Sequence, residues 1–380
     1  MRIANGRRRL LAGVVPLLAA AALVAGCSST TPVTPATPSA QSAQSAPTSP
    51  VSEPASASDT DALLVADFGG TTVTFVDPAR GATGTVEVGT APYGVAVGPD
   101  GRAWVATAEA VAVVDTRERK LLARIPYGVD TGRATYGEYR GGGMGIAITP
   151  DGSRVFVGVN VPGADGVLVA IDARTNAIVG QAATGRRPFD VVMARDGAEA
   201  YAVDHDSYDV TAVRTTDLAA RRMTVAPYGT AGGLGGWLKP HYAEVRADGR
   251  LLLPFEGERL AVLDPATGGV RVEPMTAGTH QHGTALAADG RLLVVGTGSD
   301  GTVDGPASLT VRGPDGQEQV YKLDGAHEDV AVSHDGQTAY VSGGFTRDGY
   351  WNGITVVDLG TGATQRLDVG ERPLGIVVLG

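Results

Sequence analysis

The chain has 380 residues, which at about 150 residues per domain would correspond to two or three ordinary domains. Its formal net charge is −10, from 31 Lys and Arg against 41 Asp and Glu, and this argues against a nucleic-acid partner, because phosphate binding needs a basic surface. A single cysteine excludes a disulfide scaffold and any metal site built from a cysteine cluster.

The first 27 residues are typical of a bacterial export signal. Arginines at 2 and 7–9 precede an almost wholly apolar stretch at 10–25, and this run is too short for a spanning helix. The small residues before Cys27 resemble the lipobox of bacterial lipoproteins, which implies lipidation of Cys27 and anchoring to the extracytoplasmic face of the cell membrane. Plain secretion is the alternative, and the arginine run leaves the general and twin-arginine export routes both open.

Residues 28–60 are expected to be a disordered tether. The segment consists mainly of Ser, Thr, Pro, Ala and Gln, and its only charged residues are Glu53 and Asp59. Such a composition cannot bury enough apolar surface to offset the entropy lost on ordering. The chain is therefore divided into three predicted units: the signal at 1–27, the tether at 28–60 and a folded part at 61–380.

The folded part is predicted to be all-β and to consist of one sequence repeat that occurs seven times. An apolar strand followed by an Asp-Gly turn recurs six times, with the final glycines 51, 45, 52, 41 and 46 residues apart. This spacing is typical of four-stranded propeller blades. We expect Asp-Gly to form tight primed hairpin turns, which need positive φ. The six glycines are Gly101, Gly152, Gly197, Gly249, Gly290 and Gly336.

The two ends of the folded part supply the seventh repeat. The chain stops with a first strand at 375–380, and the strands that begin at 62, 72 and 85 are a second, third and fourth strand without a first. Pairing of these termini predicts a ring without exposed edges. The fold predicted from the sequence is a single-domain seven-bladed β-propeller.

Several of these motifs carry a family resemblance. The start at Gly94-Val-Ala-Val-Gly-Pro-Asp-Gly101, the third strand ending in Val357-Asp358 and the linker Val88-Gly-Thr-Ala-Pro92 resemble the YVTN-type propeller repeat. The resemblance covers nearly all of 61–380 and implies the fold. Propellers host enzymes, binding proteins and scaffolds alike, so it implies little about function.

One repeat position is predicted to ring the mouth of the central channel. It lies eight residues before the final glycine of each turn, and it is apolar or aromatic in four repeats but His, His and Glu in three consecutive ones. By the propeller resemblance, His205 and His280 fall on the same face, whereas His334 belongs to the opposite side. The seven residues are Tyr93, Met144, Phe189, His241, His282, Glu328 and Leu374.

These side chains predict a transition-metal site, most simply for Zn²⁺. The expected ligands are His241, His282 and either His327 or Glu328, with His280 as a further candidate and an open fourth position. Asp190 and Asp329 are expected to hold the imidazole tautomers from one position further in. The alternative is that each histidine is only hydrogen-bonded, and that the acidic loop around His205 is only solvated.

A second resemblance concerns 237–336. Pro240-His241, Gly278-Thr-His-Gln-His-Gly283 and Asp324-Gly-Ala-His327 are similar to segments of bacterial zinc metallochaperone propellers, which implies metal handling and an extracytoplasmic protein partner. Those proteins commonly carry a His-rich N-terminal flap, and 28–60 contains no histidine.

Three functions remain open at this point. The first is a monomeric, membrane-anchored metal-binding protein, with long loops at 127–145 and 228–240 and an aromatic rim over the site. The second is a lactonase- or lyase-like propeller enzyme that uses a metal at the channel mouth, although no Gly-x-Ser-x-Gly nucleophile motif occurs. The third is a scaffold that binds another protein or the cell wall. The predicted rim consists of Trp237, Tyr242, Tyr350 and Trp351.

Overall fold

The computed structural model describes residues 61–225, 239–255, 259–276, 281–298, 306–344 and 351–380, and the regular elements in these ranges are all β-strands. The strands form seven four-stranded antiparallel sheets, arranged as the blades of a ring. The predicted lipid site Cys27 and the predicted tether lie outside the described ranges. The described residues contain no helix with the length and apolarity needed to cross a membrane.

The blades are numbered along the chain, and their strands are given from the inner to the outer edge. Blade 1 contains β28 (Pro373–Leu379), β1 (Ala62–Asp67), β2 (Thr72–Asp77) and β3 (Gly81–Glu87). Blade 2 contains β4 (Val95–Val97), β5 (Arg102–Ala106), β6 (Ala110–Asp115) and β7 (Lys120–Pro126). Blade 3 contains β8 (Gly142–Ile148), β9 (Arg154–Asn160), β10 (Val167–Asp172) and β11 (Ala177–Ala183). Blade 4 contains β12 (Pro188–Met193), β13 (Glu199–Asp204), β14 (Asp209–Arg214) and β15 (Ala220–Thr224).

The remaining three blades follow the same order. Blade 5 contains β16 (Glu244–Val245), β17 (Leu251–Phe255), β18 (Arg259–Asp264) and β19 (Gly269–Pro274). Blade 6 contains β20 (Gln281–Leu286), β21 (Leu292–Gly296), β22 (Ser308–Arg312) and β23 (Glu318–Lys322). Blade 7 contains β24 (Val330–Val332), β25 (Thr338–Ser342), β26 (Gly353–Asp358) and β27 (Thr364–Asp368).

The core lies between the blades. The two middle strands of a blade are buried on both faces, which explains their near-continuous Val, Leu and Ala composition, whereas outer strands such as β7 are largely exposed. Within the described ranges, each of the seven blade interfaces has its own apolar cluster; Trp104 and Val155, for example, pack between blades 2 and 3. Burial between twisted sheets therefore holds the ring together.

The inner strands approach one another so closely that several positions require glycine, and at two of these the neighbouring blade carries an aspartate. A Cβ on Gly145 would lie 2.3 Å from the Cα of Asp190, and one on Gly283 would lie 2.4 Å from the Cα of Asp329. In both cases the opposing atom is backbone of the next blade, which cannot move aside cheaply. The next blade then contributes an aspartate at the equivalent position.

The Asp-Gly turns form at all six predicted positions, but the primed-turn prediction is wrong. In Gly98-Pro-Asp-Gly101 only the glycine has positive φ, at 81°, and its N–H donates to the carbonyl of Gly98 over 3.0 Å. The Asp100 carboxylate accepts from the N–H of Arg102, also over 3.0 Å. Pro and Asp fit such a turn because neither residue needs a positive φ in it. The aspartate carboxylate instead accepts a hydrogen bond from the backbone N–H that follows the turn.

Closure of the ring by the two termini is confirmed. β28 pairs antiparallel with β1, with Leu63 opposite Val378 and Val65 opposite Ile376. The β28 side chains reach the clusters on both sides of blade 1. Asp61, just before β1, accepts from the Tyr340 hydroxyl of blade 7 over 2.7 Å, so the start of the folded part is also tied to its neighbour.

Deletion of 375–380 is expected to lower Tm by more than about 10 °C or to prevent folding, because blade 1 loses its inner strand and two interfaces lose apolar burial at about 25 cal/mol per Å². Calorimetry or circular dichroism measures the change. Deletion of Gly380 alone, which is exposed and follows β28, serves as the control and should leave Tm unchanged. An unaltered Tm in the longer deletion would contradict closure.

Candidate functional site

The predicted ring of residues at the channel mouth is divided into two halves. Tyr93, Met144, Phe189 and Leu374 pack with Phe68 and Ala91 in one buried apolar cluster. The other half consists of His241, His282 and Glu328, which are buried with exposures of 1%, 3% and 5%. The structure therefore brings together three of the predicted site residues and closes the opposite half of the mouth with apolar packing.

Short contacts link the polar half. The His282 Nδ1 lies 2.6 Å from Glu328 Oε1, and the rings of His241 and His282 stack with centroids 4.7 Å apart. The His241 Nε2 lies 3.0 Å from the Nε2 of a third imidazole, that of His205. His205 comes from the β13–β14 turn of blade 4, so blades 4 to 7 all contribute to the cluster.

The protonation of His205 follows from its surroundings. Burial lowers the pKa of His205 to about 3, so the imidazole is neutral at pH 7. Its Nδ1 lies 2.8 Å from a carboxylate oxygen of Asp206, and an ionised carboxylate can only accept, so the proton is on Nδ1. The Nε2 of His205 is then an acceptor, and His241 donates its Nε2–H to it.

Asp206 is the residue of this cluster that sequence reasoning did not single out. Burial acts to raise its pKa, but hydrogen bonds from His205 and Lys239 outweigh burial and hold the pKa well below its usual range. Lys239 Nζ and an Arg187 guanidinium nitrogen each lie 2.7 Å from its oxygens. In the sequence, only its position directly after His205 could have indicated that Asp206 contacts that imidazole.

The structure places His327 away from the channel. Its Nδ1 donates to the Gly325 carbonyl over 2.7 Å, and its Nε2 lies 2.7 Å from the Thr355 hydroxyl on β26. Both nitrogens are therefore used within blade 7, and burial lowers the pKa of His327 to about 4. Of the two alternatives predicted for blade 7, Glu328 faces the other imidazoles. His280 lies outside the described residues.

Asp190 and Asp329 do not hold the imidazoles as expected. The Asp190 carboxylate accepts from the backbone N–H groups of Val191 and Ala243, and that of Asp329 accepts from Val330 and Ile376. Each aspartate thus joins the inner strand of its own blade to that of the next. The position that follows the mouth residue lies beside the neighbouring backbone, which explains this difference.

The predicted aromatic rim is only partly described. Trp237 and Tyr350 lie outside the described residues. Tyr242 is buried in the channel, where its hydroxyl lies 3.1 Å from that of Tyr93 on the opposite side. Trp351 is half-buried and packs edge-on to His327, so neither described residue forms an exposed rim.

A cavity of about 450 Å³ fills the channel, and the seven inner strands line it. Its lining runs from Tyr93 and Tyr242 to His334 and Val378 at the other end. Three carboxyl groups face it. Burial raises the pKa of Asp190 to about 6 and that of Asp329 to about 8, and burial with the charges of both aspartates raises the pKa of Glu244 to about 8.

As they stand, the cluster residues are hydrogen-bonded to one another. Among the described residues, no three His, Asp, Glu or Cys side chains already surround a common point as metal ligands. The donor types are nonetheless those that zinc accepts, since imidazole nitrogen and carboxylate oxygen both bind it. Two of the three imidazoles also have a carboxylate at Nδ1, which is one of the partners that zinc-binding histidines usually have.

Comparison with known proteins supports the fold. No family model and no curated protein matches the chain, so the YVTN-type and metallochaperone resemblances stay predictions. A protein of unknown function from Desulfotomaculum acetoxidans matches with a TM-score of 0.63 at 10% identity, over 84% of this chain and 99% of its own. These structural matches establish the fold alone.

Two further solved structures match over most of both chains. A catalytically inactive variant of virginiamycin B lyase from Staphylococcus aureus, with quinupristin, has a TM-score of 0.56 at 14% identity and covers 75% of this chain and 87% of its own. A dihydro-haem d1 dehydrogenase has a TM-score of 0.55 at 19% identity and covers 87% and 77%. At sequence identities this low, neither match indicates the activity of this chain.

The raised pKa values predict how stability depends on pH. In the unfolded chain these carboxyls ionise near pH ~4, but in the folded protein Glu244 and Asp329 ionise only near 8. Between these values the two carboxyls bind fewer protons in the unfolded state, so their contribution to stability falls as the pH rises from about 4 to about 8. The lowered pKa values of His205 and His327 act in the opposite direction only below about pH 6.5. Glu244→Gln should therefore reduce the drop in Tm between pH 6.5 and pH 8, measured by calorimetry.

Glu87→Gln is the control for this comparison. Glu87 is exposed on β3, so its variant should show the same drop as the wild type. An equal drop in Tm in the wild type and both variants would mean that the carboxyl groups facing the channel do not control the pH dependence of stability.

Proposed function

We propose that this protein is a metal-binding β-propeller, selective for Zn²⁺ over harder cations and held on the extracytoplasmic face of the cell membrane by a lipid on Cys27. The observation that carries the proposal is the cluster of three imidazoles, His205, His241 and His282, in which two have Nδ1 held by a carboxylate. A carboxylate at Nδ1 leaves Nε2 as the ligand atom and increases its basicity.

The spacing of the nitrogens supports the proposal. Two Zn–N bonds of ~2.0–2.1 Å at a tetrahedral angle place the nitrogens about 3.3–3.4 Å apart. His205 and His241 have their Nε2 atoms 3.0 Å apart, so a metal replaces the hydrogen-bonded proton with a widening of a few tenths of an ångström. Because burial keeps His205 neutral, protons compete little for that ligand at pH 7.

This ligand set differs from the one expected from the sequence. Glu328 approaches the Nδ1 of His282, so its role in the proposal is to orient that ring rather than to bind the metal. Three imidazoles leave a fourth position for water or for a ligand from a partner protein. Such an open site suits capture and transfer of a metal, which is the metallochaperone-like function implied by the resemblance.

A second candidate is an enzyme of the lactonase or lyase kind, and the His282–Glu328 contact favours it. A carboxylate that fixes the tautomer of an imidazole is the usual arrangement of a general base. Turnover of lactones by protein from which metal has been removed would favour this candidate. A scaffold without chemistry is favoured if neither metal binding nor turnover is found.

The metal site is tested by isothermal titration of untagged, metal-stripped full-length protein with Zn²⁺. We expect a dissociation constant tighter than about 1 μM and a loss of at least about 100-fold in His205→Ala, His241→Ala and His282→Ala. Glu328→Gln keeps an acceptor oxygen opposite His282 and should weaken binding by only about 10- to 100-fold.

His334→Ala is the matched control, because His334 lies at the opposite end of the channel, paired with Asp61 over 3.0 Å. It should bind zinc as the wild type does. Zinc should also raise the Tm of the wild type but not of the His241→Ala/His282→Ala double variant, since only folded-state binding stabilises. Wild-type binding weaker than micromolar, or equal binding by the double variant, would overturn the metal proposal.

The anchor is tested separately. Cys27→Ala should release the protein into the medium or leave an unprocessed precursor, because lipidation of this cysteine precedes cleavage of the signal. Fractionation and mass spectrometry measure the outcome. A variant of mature size that still partitions with membranes would contradict lipid anchoring through Cys27.

A further inference from the structure

A second pocket, of about 240 Å³, lies beside the imidazole cluster. Its polar lining comes from Tyr139, Asn160, Arg186, Arg187 and Asp206, and its remaining walls are the 161–164 loop that follows β9. Asp206 belongs both to this pocket and to the His205 contact described above. The pocket is separate from the channel, whose lining residues it does not share.

The charges around the pocket do not balance. Arg187 and Lys239 share the single carboxylate of Asp206. Two cations against one anion leave an excess positive charge at partly buried side chains, each only 16% exposed. This is a local basic site in a chain whose net charge is −10.

The Arg187 guanidinium is held in place by an aromatic ring, and one of its N–H groups has no acceptor among the described residues. It lies 4.1 Å from the ring centroid of Tyr139, which fixes its plane by stacking. Its Nε is buried and has no hydrogen-bond partner among the described residues. A buried N–H without an acceptor is costly, so the protein holds Arg187 in the pocket wall at some cost to its stability.

Arg186 supplies a second guanidinium at the same wall. Its side chain is 61% exposed, and Asp165, at 3.7 Å, is too far for a hydrogen bond. Planar guanidinium groups match the two oxygens of a carboxylate or a phosphate, and two of them side by side favour a doubly charged anion.

From this geometry we infer that the pocket is a binding site for a small oxyanion, a dicarboxylate or inorganic phosphate, held by Arg186 and Arg187. The volume admits a molecule of several heavy atoms, and the negative charge of the whole chain excludes a polymeric anion such as nucleic acid. The inference goes beyond the proposed metal binding and does not depend on it.

The test is a titration of full-length, metal-free protein with malonate and, separately, with inorganic phosphate at pH 7. Sodium chloride keeps the ionic strength equal throughout, so that general screening is not mistaken for binding. We expect saturable binding with a dissociation constant of about 1 mM or tighter, seen as heat and as a rise in Tm. Whichever of the two probes binds more tightly identifies the class of anion.

Arg186→Gln is the decisive variant, because its exposed side chain can change without disturbing the fold. It should weaken binding about tenfold, and Arg187→Gln should abolish it. Arg80→Gln, an exposed arginine in the β2–β3 turn of blade 1, is the control and should bind as the wild type does. The inference is overturned if both anions act no more strongly than chloride, or if Arg186→Gln binds like the control. Loss of zinc binding leaves this result unaffected.

Discussion

The close approach of the seven inner strands is the constraint on which the rest of the structure depends. Where two strands come nearest, as at Gly145 beside Asp190 and Gly283 beside Asp329, no side chain fits on one partner. The other partner then carries an aspartate whose carboxylate bonds to the backbone of the following blade. At these two places the inner strands meet through glycine and a polar contact, whereas apolar residues fill half of the channel mouth and the spaces between the blades.

This arrangement decides which groups can be charged. The channel encloses three carboxyl groups, and the described residues that line it include no Arg or Lys. Burial then favours the neutral forms, so the pKa values of Glu244 and Asp329 rise and that of His205 falls. Fixed charge is concentrated instead around Asp206, where Arg187 and Lys239 both pair with one carboxylate. A neutral imidazole beside a charged carboxylate is the state in which a histidine binds metal best.

The sequence predicted the fold well because the repeat is regular. A strand followed by Asp-Gly fixes the blade count, and the unpaired strands at the two ends predict closure without knowledge of any side-chain contact. The mouth positions followed from the same alignment. What periodicity could not predict were contacts between blades. The choice between His327 and Glu328 depends on which of two adjacent residues faces the axis, and the His205–His241 contact joins residues 36 apart in two different blades.

Pairing of β28 with β1 has a consequence for how the protein folds. Six blades are made of strands that follow one another in the chain, so their contacts are local, whereas Leu63 meets Val378 across 315 residues. Closing so large a loop costs chain entropy before the contacts between β28 and β1 can stabilise the ring. Blade 1 should therefore be the last blade to form, and the open six-bladed array that precedes it exposes strand edges prone to intermolecular pairing. During synthesis this vulnerable interval ends only after the final strand has emerged.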